Sequence, residues 1–187
     1  MTLIRTIQED FRRHGSSPGN LAFWALANYR FGRWANELPE PVRALGGRTY
    51  GALSWIIEFG SGITLHREAT LGEDFHLVHA GNIKIHPQSR IGNRVGIMHD
   101  VTLGTAMDRP GAPTLGDDVF VGAGAKILGA VTIGDRARIA ANSLVITDVP
   151  ADATAIGVPA KIMYYTGRLA AGHAPSLTVA KSVVSPR

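Results

Sequence analysis

The chain has 187 residues, enough for one substantial domain, and its balance of 45% hydrophobic to 18% charged residues excludes a wholly disordered protein. It contains no cysteine, which excludes disulfides, zinc–thiolate sites and a cysteine nucleophile together. The net charge of +4 sits at the end: after Asp152 there is no acid, while Lys161, Arg168, Lys181 and Arg187 add four positive charges, so the remainder sums to zero and carries no nucleic-acid signal.

The first 60 residues read as helical. Leu3, Ile4, Ile7 and Phe11 form a stripe at helical spacing, closed at Gly15. Ser17-Pro18 suits the cap and first turn of a second helix through Trp24, Phe31 and Trp34, ended by Pro39 and Pro41. A third helix is expected from Val42 to Phe59, and the aromatic residues of this region are expected to serve packing. The start carries acids and no apolar h-region, unlike a signal peptide. The apolar stretch from Tyr50 to Phe59 falls short of the roughly 20 residues that span a bilayer. A cytoplasmic protein without stable membrane insertion is the expectation.

Beyond residue 60 an aliphatic residue returns every six positions. Leu65, Leu71 and Leu77 open the series; Ile85, Ile91, Ile97 and Leu103 continue it after two extra residues; Leu115, Val121, Ile127, Ile133, Ile139 and Val145 resume it after a Gly- and Pro-rich loop. Four positions after the aliphatic residue stands a small or branched one: Val95, Val101, Val119, Ala125, Val131, Ala137 and Ser143. A period of six fits neither a helix nor simple alternation. It fits short strands joined by turns, three to a coil of 18 residues, with coils stacked at roughly 4.8 Å. Counting by coils puts Leu65, Ile85, Leu103, Val121 and Ile139 in one internal column. It also sets His79 one coil below His99, and His66 one below His86, with His79 and His99 facing outward. The expected domains are a helical region over 1–60, a β-helix over 61–163 and a basic, flexible tail over 164–187.

The run VFVGAGAKILGAVTIGDRARIAANSLV (119–145), the AIGVPAKI segment (155–162), LVHAGNI (77–83) and VTLG (101–104) together resemble the serine acetyltransferase group of hexapeptide acyltransferases, over roughly residues 45–163. The resemblance implies a mainly β fold, a left-handed parallel β-helix with an α-helical N-terminal region. It implies a homotrimer with sites between subunits, acetyl-CoA as co-substrate and no metal; whether trimers pair stays open. His79 matches the general base, and a histidine near its reference pKa suits removal of a hydroxyl proton. His99 is a second catalytic candidate. The backbone near Gly104 of a neighbouring chain matches an oxyanion donor. Ala123 and Gly124 match the pantetheine track, joined by Arg138 and Ala141, with Lys161 towards the phosphates. Ala123, Gly124 and Ala141 also suit tight β-helix corners without any ligand, and His66 and His86 read as surface residues.

At the acceptor end the pattern departs from the serine enzymes. Where they carry an acid before the catalytic histidine, this chain has Val78; their Arg-His pair falls at Gly111 and Ala112; the acid that orients the histidine falls at Thr64. Serine brings two charges, and leaving them unpaired costs several kcal/mol. The pattern looks closer to colanic acid-type exopolysaccharide O-acetyltransferases, which act on a sugar hydroxyl of a glycan. Serine O-acetylation is the alternative within the same chemistry. A metal-dependent enzyme using outward histidines and a non-catalytic scaffold are the alternatives outside it. Asp74, His99 or a backbone carbonyl could orient His79.

Overall fold

A computed structural model of the protein describes residues 3–166 and 176–179. Three helices come first: α1 (Leu3–Arg13), α2 (Leu21–Ala35) and α3 (Val42–Ser61). The cap of α2 is Asn20 rather than Ser17-Pro18. Its Oδ1 accepts from the N–H groups of Ala22 and Phe23 at 3.0 and 3.4 Å, which satisfies two donors that the first turn leaves free. α3 stops at Gly62, which takes the left-handed conformation at φ 69° and donates its N–H to Glu58. Where α2 crosses α3, a Cβ on Gly32 would lie 2.4 Å from the Tyr50 ring, so only glycine lets the aromatic side chain in.

The coils follow. The first holds β1 (Thr64–Leu65), β2 (Thr70–Leu71) and β3 (His76–Leu77); the second β4 (Lys84–Ile85), β5 (Arg90–Ile91) and β6 (Gly96–Ile97). The third holds β7 (Thr102–Gly104), β8 (Thr114–Leu115) and β9 (Phe120–Val121); the fourth β10 (Lys126–Leu128), β11 (Thr132–Ile133) and β12 (Arg138–Ile139). β13 (Leu144–Val145) and β14 (Thr154–Ile156) make the fifth. Three parallel sheets result: β1-β4-β7-β10-β13, β2-β5-β8-β11 and β3-β6-β9-β12-β14. This is a parallel β-helix of hexapeptide repeats. The aliphatic positions point inward, as do the small residues four places on, and nearly all are fully buried.

One internal column differs from the expectation. Leu65, Ile85 and Leu103 continue into Ile127 and Val145, while Val121 and Ile139 stack on Leu77 and Ile97. The loop after β7 adds six residues to an 18-residue coil. The step from Leu103 to its neighbour is therefore 24 residues, and counting by 18 lands one sheet away.

Both ends of this open stack are covered. Below the first coil there is no strand to receive its backbone groups, and the helices supply side chains instead. The Tyr29 hydroxyl donates to Ala69 O at 2.8 Å and accepts from Leu71 N–H at 3.2 Å. The Tyr50 hydroxyl donates to Leu65 O and accepts from Arg67 N–H, and Arg30 reaches Gly72 O. At the other end β14 pairs antiparallel with β15 (Lys161–Thr166), which pairs with β16 (Ser176–Val179). Strand thus occupies residues 164–166 and 176–179 of the expected flexible tail. Arg168, Lys181 and Arg187 lie outside the described residues. Among the described residues no helix is long and apolar enough to cross a membrane.

One outer corner carries a polar ladder. Asp74, Arg94, Asp118, Arg136 and Asp152 all take positive φ there, between 54° and 60°. Arginine is a costly choice for that conformation. Two-pronged ion pairs offset it: Arg94 clasps Asp118 at 2.7 Å on both nitrogens, and Arg136 clasps Asp152.

Candidate active site

A second corner, following the sheet that begins with β3, collects most of the residues singled out from the sequence. His79, His99, Ala123 and Ala141 each stand two residues after a buried aliphatic residue of that sheet, Leu77, Ile97, Val121 or Ile139, so they occupy one column, a coil apart. The backbone holds the column together: Gly124 N–H donates to His99 O at 3.0 Å, and Asn142 N–H to Ala123 O at 2.8 Å. The His79 and His99 rings lie 5.9 Å apart with planes tilted by 52°. At roughly 4.8 Å per coil, the column climbs about 15 Å from His79 to Ala141.

Its upper half offers almost no side-chain bulk. Gly124 sits at φ +75°, and a Cβ there would come within 2.1 Å of Asn142 Oδ1. Ala123 is half-buried and Ala141 exposed, so a narrow shelf runs above the histidines. Arg138 is on β12, exposed, one step before this corner. Lys161 opens β15 opposite Ile156, at the top of the same sheet. Gly104 is not among them. It ends β7 in a different sheet, beside Leu128, at the start of the loop that follows.

A carboxylate that the hexad spacing does not reveal lies beside Thr64. Thr64, at the position matched to the orienting acid, donates its hydroxyl to Glu58 Oε1 at 2.5 Å, and Lys84 Nζ approaches the same oxygen at 2.9 Å. These bonds hold the Glu58 carboxyl below its ordinary pKa. Glu58 comes from the last turn of α3, so a carboxylate reaches this place from the helix rather than from the strand. Its only sequence signal is that it is the one acid in the 20 residues of α3.

Asp74 does not turn towards His79; it pairs with Arg13 of α1 at 3.3 Å. The approach to His79 is instead pinned by His14. The His14 ring is 4% exposed, with Nδ1 2.7 Å from Asp10 O and Nε2 accepting Leu77 N–H at 3.2 Å. That pair of bonds fits the neutral ring with its proton on Nδ1. Burial pushes the His14 pKa down. Its ring meets His76 edge to face at 5.0 Å, and burial, followed by the mutual repulsion that protonating both rings would bring, lowers His76 to about 4. Asp10 is buried beside Arg30 at 3.1 Å, with its pKa raised because desolvation outweighs the guanidinium.

Comparison with known proteins follows the same outline. The family model described as bacterial transferase hexapeptide (six repeats) matches residues 112–147. A serine acetyltransferase of Synechococcus elongatus is 35% identical over 181 residues, covering 88% of this chain and 70% of that protein. One from Helicobacter pylori strain J99 is 44% identical over 112 residues, 59% of this chain and 66% of the relative. The crystal structure of serine acetyltransferase in complex with coenzyme A from Brucella abortus strain S19 superposes with a TM-score of 0.70 at 30% identity, covering 88% of this chain and 67% of that one. The chain spans between 54% and 70% of the length of such curated relatives.

Proposed function

The chain belongs to the serine acetyltransferase family of hexapeptide-repeat acyltransferases, and from that membership we propose that it moves an acetyl group from acetyl-CoA to an acceptor hydroxyl, with His79 as general base. The observation that carries the reading is the corner column, a histidine pair beneath a shelf of Ala123, Gly124 and Ala141. An extended thioester arm laid on that shelf has Lys161 and Arg138 near its phosphate end and reaches His79 at its acyl end. His79 takes the hydroxyl proton while the oxygen attacks the thioester carbonyl. The C–O bond forms, the C–S bond breaks, and the imidazolium returns the proton to the departing CoA sulfur. His99, one coil above, helps to position the acceptor or the thioester.

Gly104 lies in another sheet of its own chain, so its backbone serves as an oxyanion donor only in a neighbouring copy. A homotrimer with one site at each seam follows from this reading. Sedimentation equilibrium should return three chain masses or a multiple of three; a monomer that turns over substrate removes the shared site.

The names of the relatives support serine as the acceptor. A sugar hydroxyl, as in exopolysaccharide synthesis, is the second reading. It is favoured by Val78, Gly111 and Ala112, which offer a carboxylate and an ammonium nothing at three positions. One assay separates them. The absence of cysteine lets a thiol reagent report released CoA without background from the protein. Saturable CoA release with serine supports the first reading; release with hexose acceptors alone supports the second. Failure to bind CoA at all overturns both.

A further inference from the structure

His79 stands on the first coil, and its sheet ends there, with β3 at the edge. His99, one coil up, is braced by the coil above it: Met98 N–H donates to Val121 O and Gly124 N–H to His99 O, at 3.0 Å each. β3, which leads into His79, receives its sheet bonds from one side. His76 N–H donates to Val95 O and Val78 N–H to Ile97 O, both at 2.9 Å. Successive N–H groups of a strand point to opposite sides, so Leu77 N–H points down, where the sheet offers no acceptor. His14 Nε2 takes that place at 3.2 Å.

Tyr29, Tyr50 and Arg30 bond to the stretch from Leu65 to Gly72, ahead of β3. His14 bonds to β3 itself, two residues from the candidate base. Its own seat is rigid. Nδ1 lies 2.7 Å from Asp10 O in α1, and the His14 carbonyl accepts from Asn20 Nδ2 at 2.9 Å. Asn20 in turn caps α2. The His76 ring closes the remaining side, edge to face at 5.0 Å.

We propose that His14 is a positioning residue for His79: by clamping β3 from below it sets where the base meets the acceptor hydroxyl. The inference rests on the reading of His79 as general base. Misplacing a base by about an ångström lowers the rate of proton transfer steeply. Binding of acetyl-CoA is untouched, because Ala123 and Ala141 lie two and three coils above His79.

Two amides of different reach test this. A glutamine places its carbonyl oxygen where Nε2 lies, while an asparagine stops at the place of Nδ1. His14→Asn should lower kcat about ten- to a hundredfold at unchanged KM for acetyl-CoA, with serine or a hexose as acceptor, and His14→Gln should restore most of it. The Hε1 signal of the His79 ring in the NMR spectrum should shift in His14→Asn and return in His14→Gln. Tyr29→Phe, which removes bonds of the same coil away from β3, should lower stability and leave kcat alone. Equal kcat in the two His14 variants, or an equal fall in Tyr29→Phe, makes His14 a stabilising part only and overturns the proposal. An unmoved His79 signal overturns it as well. A Leu77 amide that exchanges freely with solvent in the wild type does so even if His14→Asn fails to fold. A wild type without turnover on either acceptor overturns the general-base reading alone, and the two NMR measurements then decide the clamp.

Discussion

Two buried side chains show how much of this protein hangs on single polar atoms. The Tyr29 hydroxyl is the partner of Ala69 O and of Leu71 N–H, and its residue is 2% exposed. Removing it leaves a donor and an acceptor in a place water hardly reaches, each worth about 1–3 kcal/mol. Tyr29→Phe should therefore lower unfolding free energy by about 2–4 kcal/mol, measured in urea, although the ring still fills its space. His14 and His76 give a pH dependence whose sign is fixed by their neutral folded forms. Both have folded pKa values below the ordinary 6.5, that of His76 at about 4, so below 6.5 the unfolded chain binds more protons. Stability is complete above pH 6.5 and falls as the pH drops towards 4. Asp10, with its raised pKa, works in the opposite direction at the acid end of that window. Thermal melts from pH 7.5 to 4.5 should show a declining midpoint, and His14→Gln, which keeps an acceptor for Leu77 N–H without titrating, should flatten it. An unchanged slope in that variant would remove His14 from the account.

Among the elements, the corner column carries the proposed function and the loop after β7 sets the phase of the coils above it. Gly124→Val should strain a backbone at φ +75° and fill the shelf beside Asn142. The expected result is a KM for acetyl-CoA raised about tenfold, on the order of 1.4 kcal/mol of lost binding, with kcat little changed. Thr132→Val on β11, in another sheet, should leave that KM alone. The hexad spacing made the repeat, the inward residues and the His79–His99 stack legible before any coordinates. It gave the wrong partners for Val121 and Ile139, since a six-residue loop is itself one hexad long and leaves the local rhythm intact. The cap of α2 was misplaced for a different reason. Ser17-Pro18 has the right composition, but the segment it starts is a turn that brings Trp24 Nε1 to Pro18 O, and Asn20 takes the cap. Glu58 was invisible because its meeting with Thr64 and Lys84 depends on where α3 ends against the first coil.

On the scale of the whole molecule, the helical region acts as the lower lid of the β-helix. A stack of parallel coils ends in a row of unpaired backbone groups, and an open row of that kind recruits other strands. Here Leu65 O, Ala69 O, Gly72 O, Leu71 N–H and Leu77 N–H all find partners on Tyr50, Tyr29, Arg30 and His14. These side chains come from α2, from α3 and from the turn that follows α1, so none of the three can be lost without exposing part of the edge. Deleting residues 1–60 should therefore not yield a shorter soluble β-helix. It should leave the first coil as a template for edge-to-edge pairing, seen as high-mass species in size exclusion and a rise in thioflavin fluorescence. The double variant Tyr29→Phe with Tyr50→Phe keeps the helices and removes four of the edge bonds, so it should shift in the same direction to a smaller extent. A deletion variant that elutes as a single compact species would mean that the coils close their own edge, and the lid would lose its purpose.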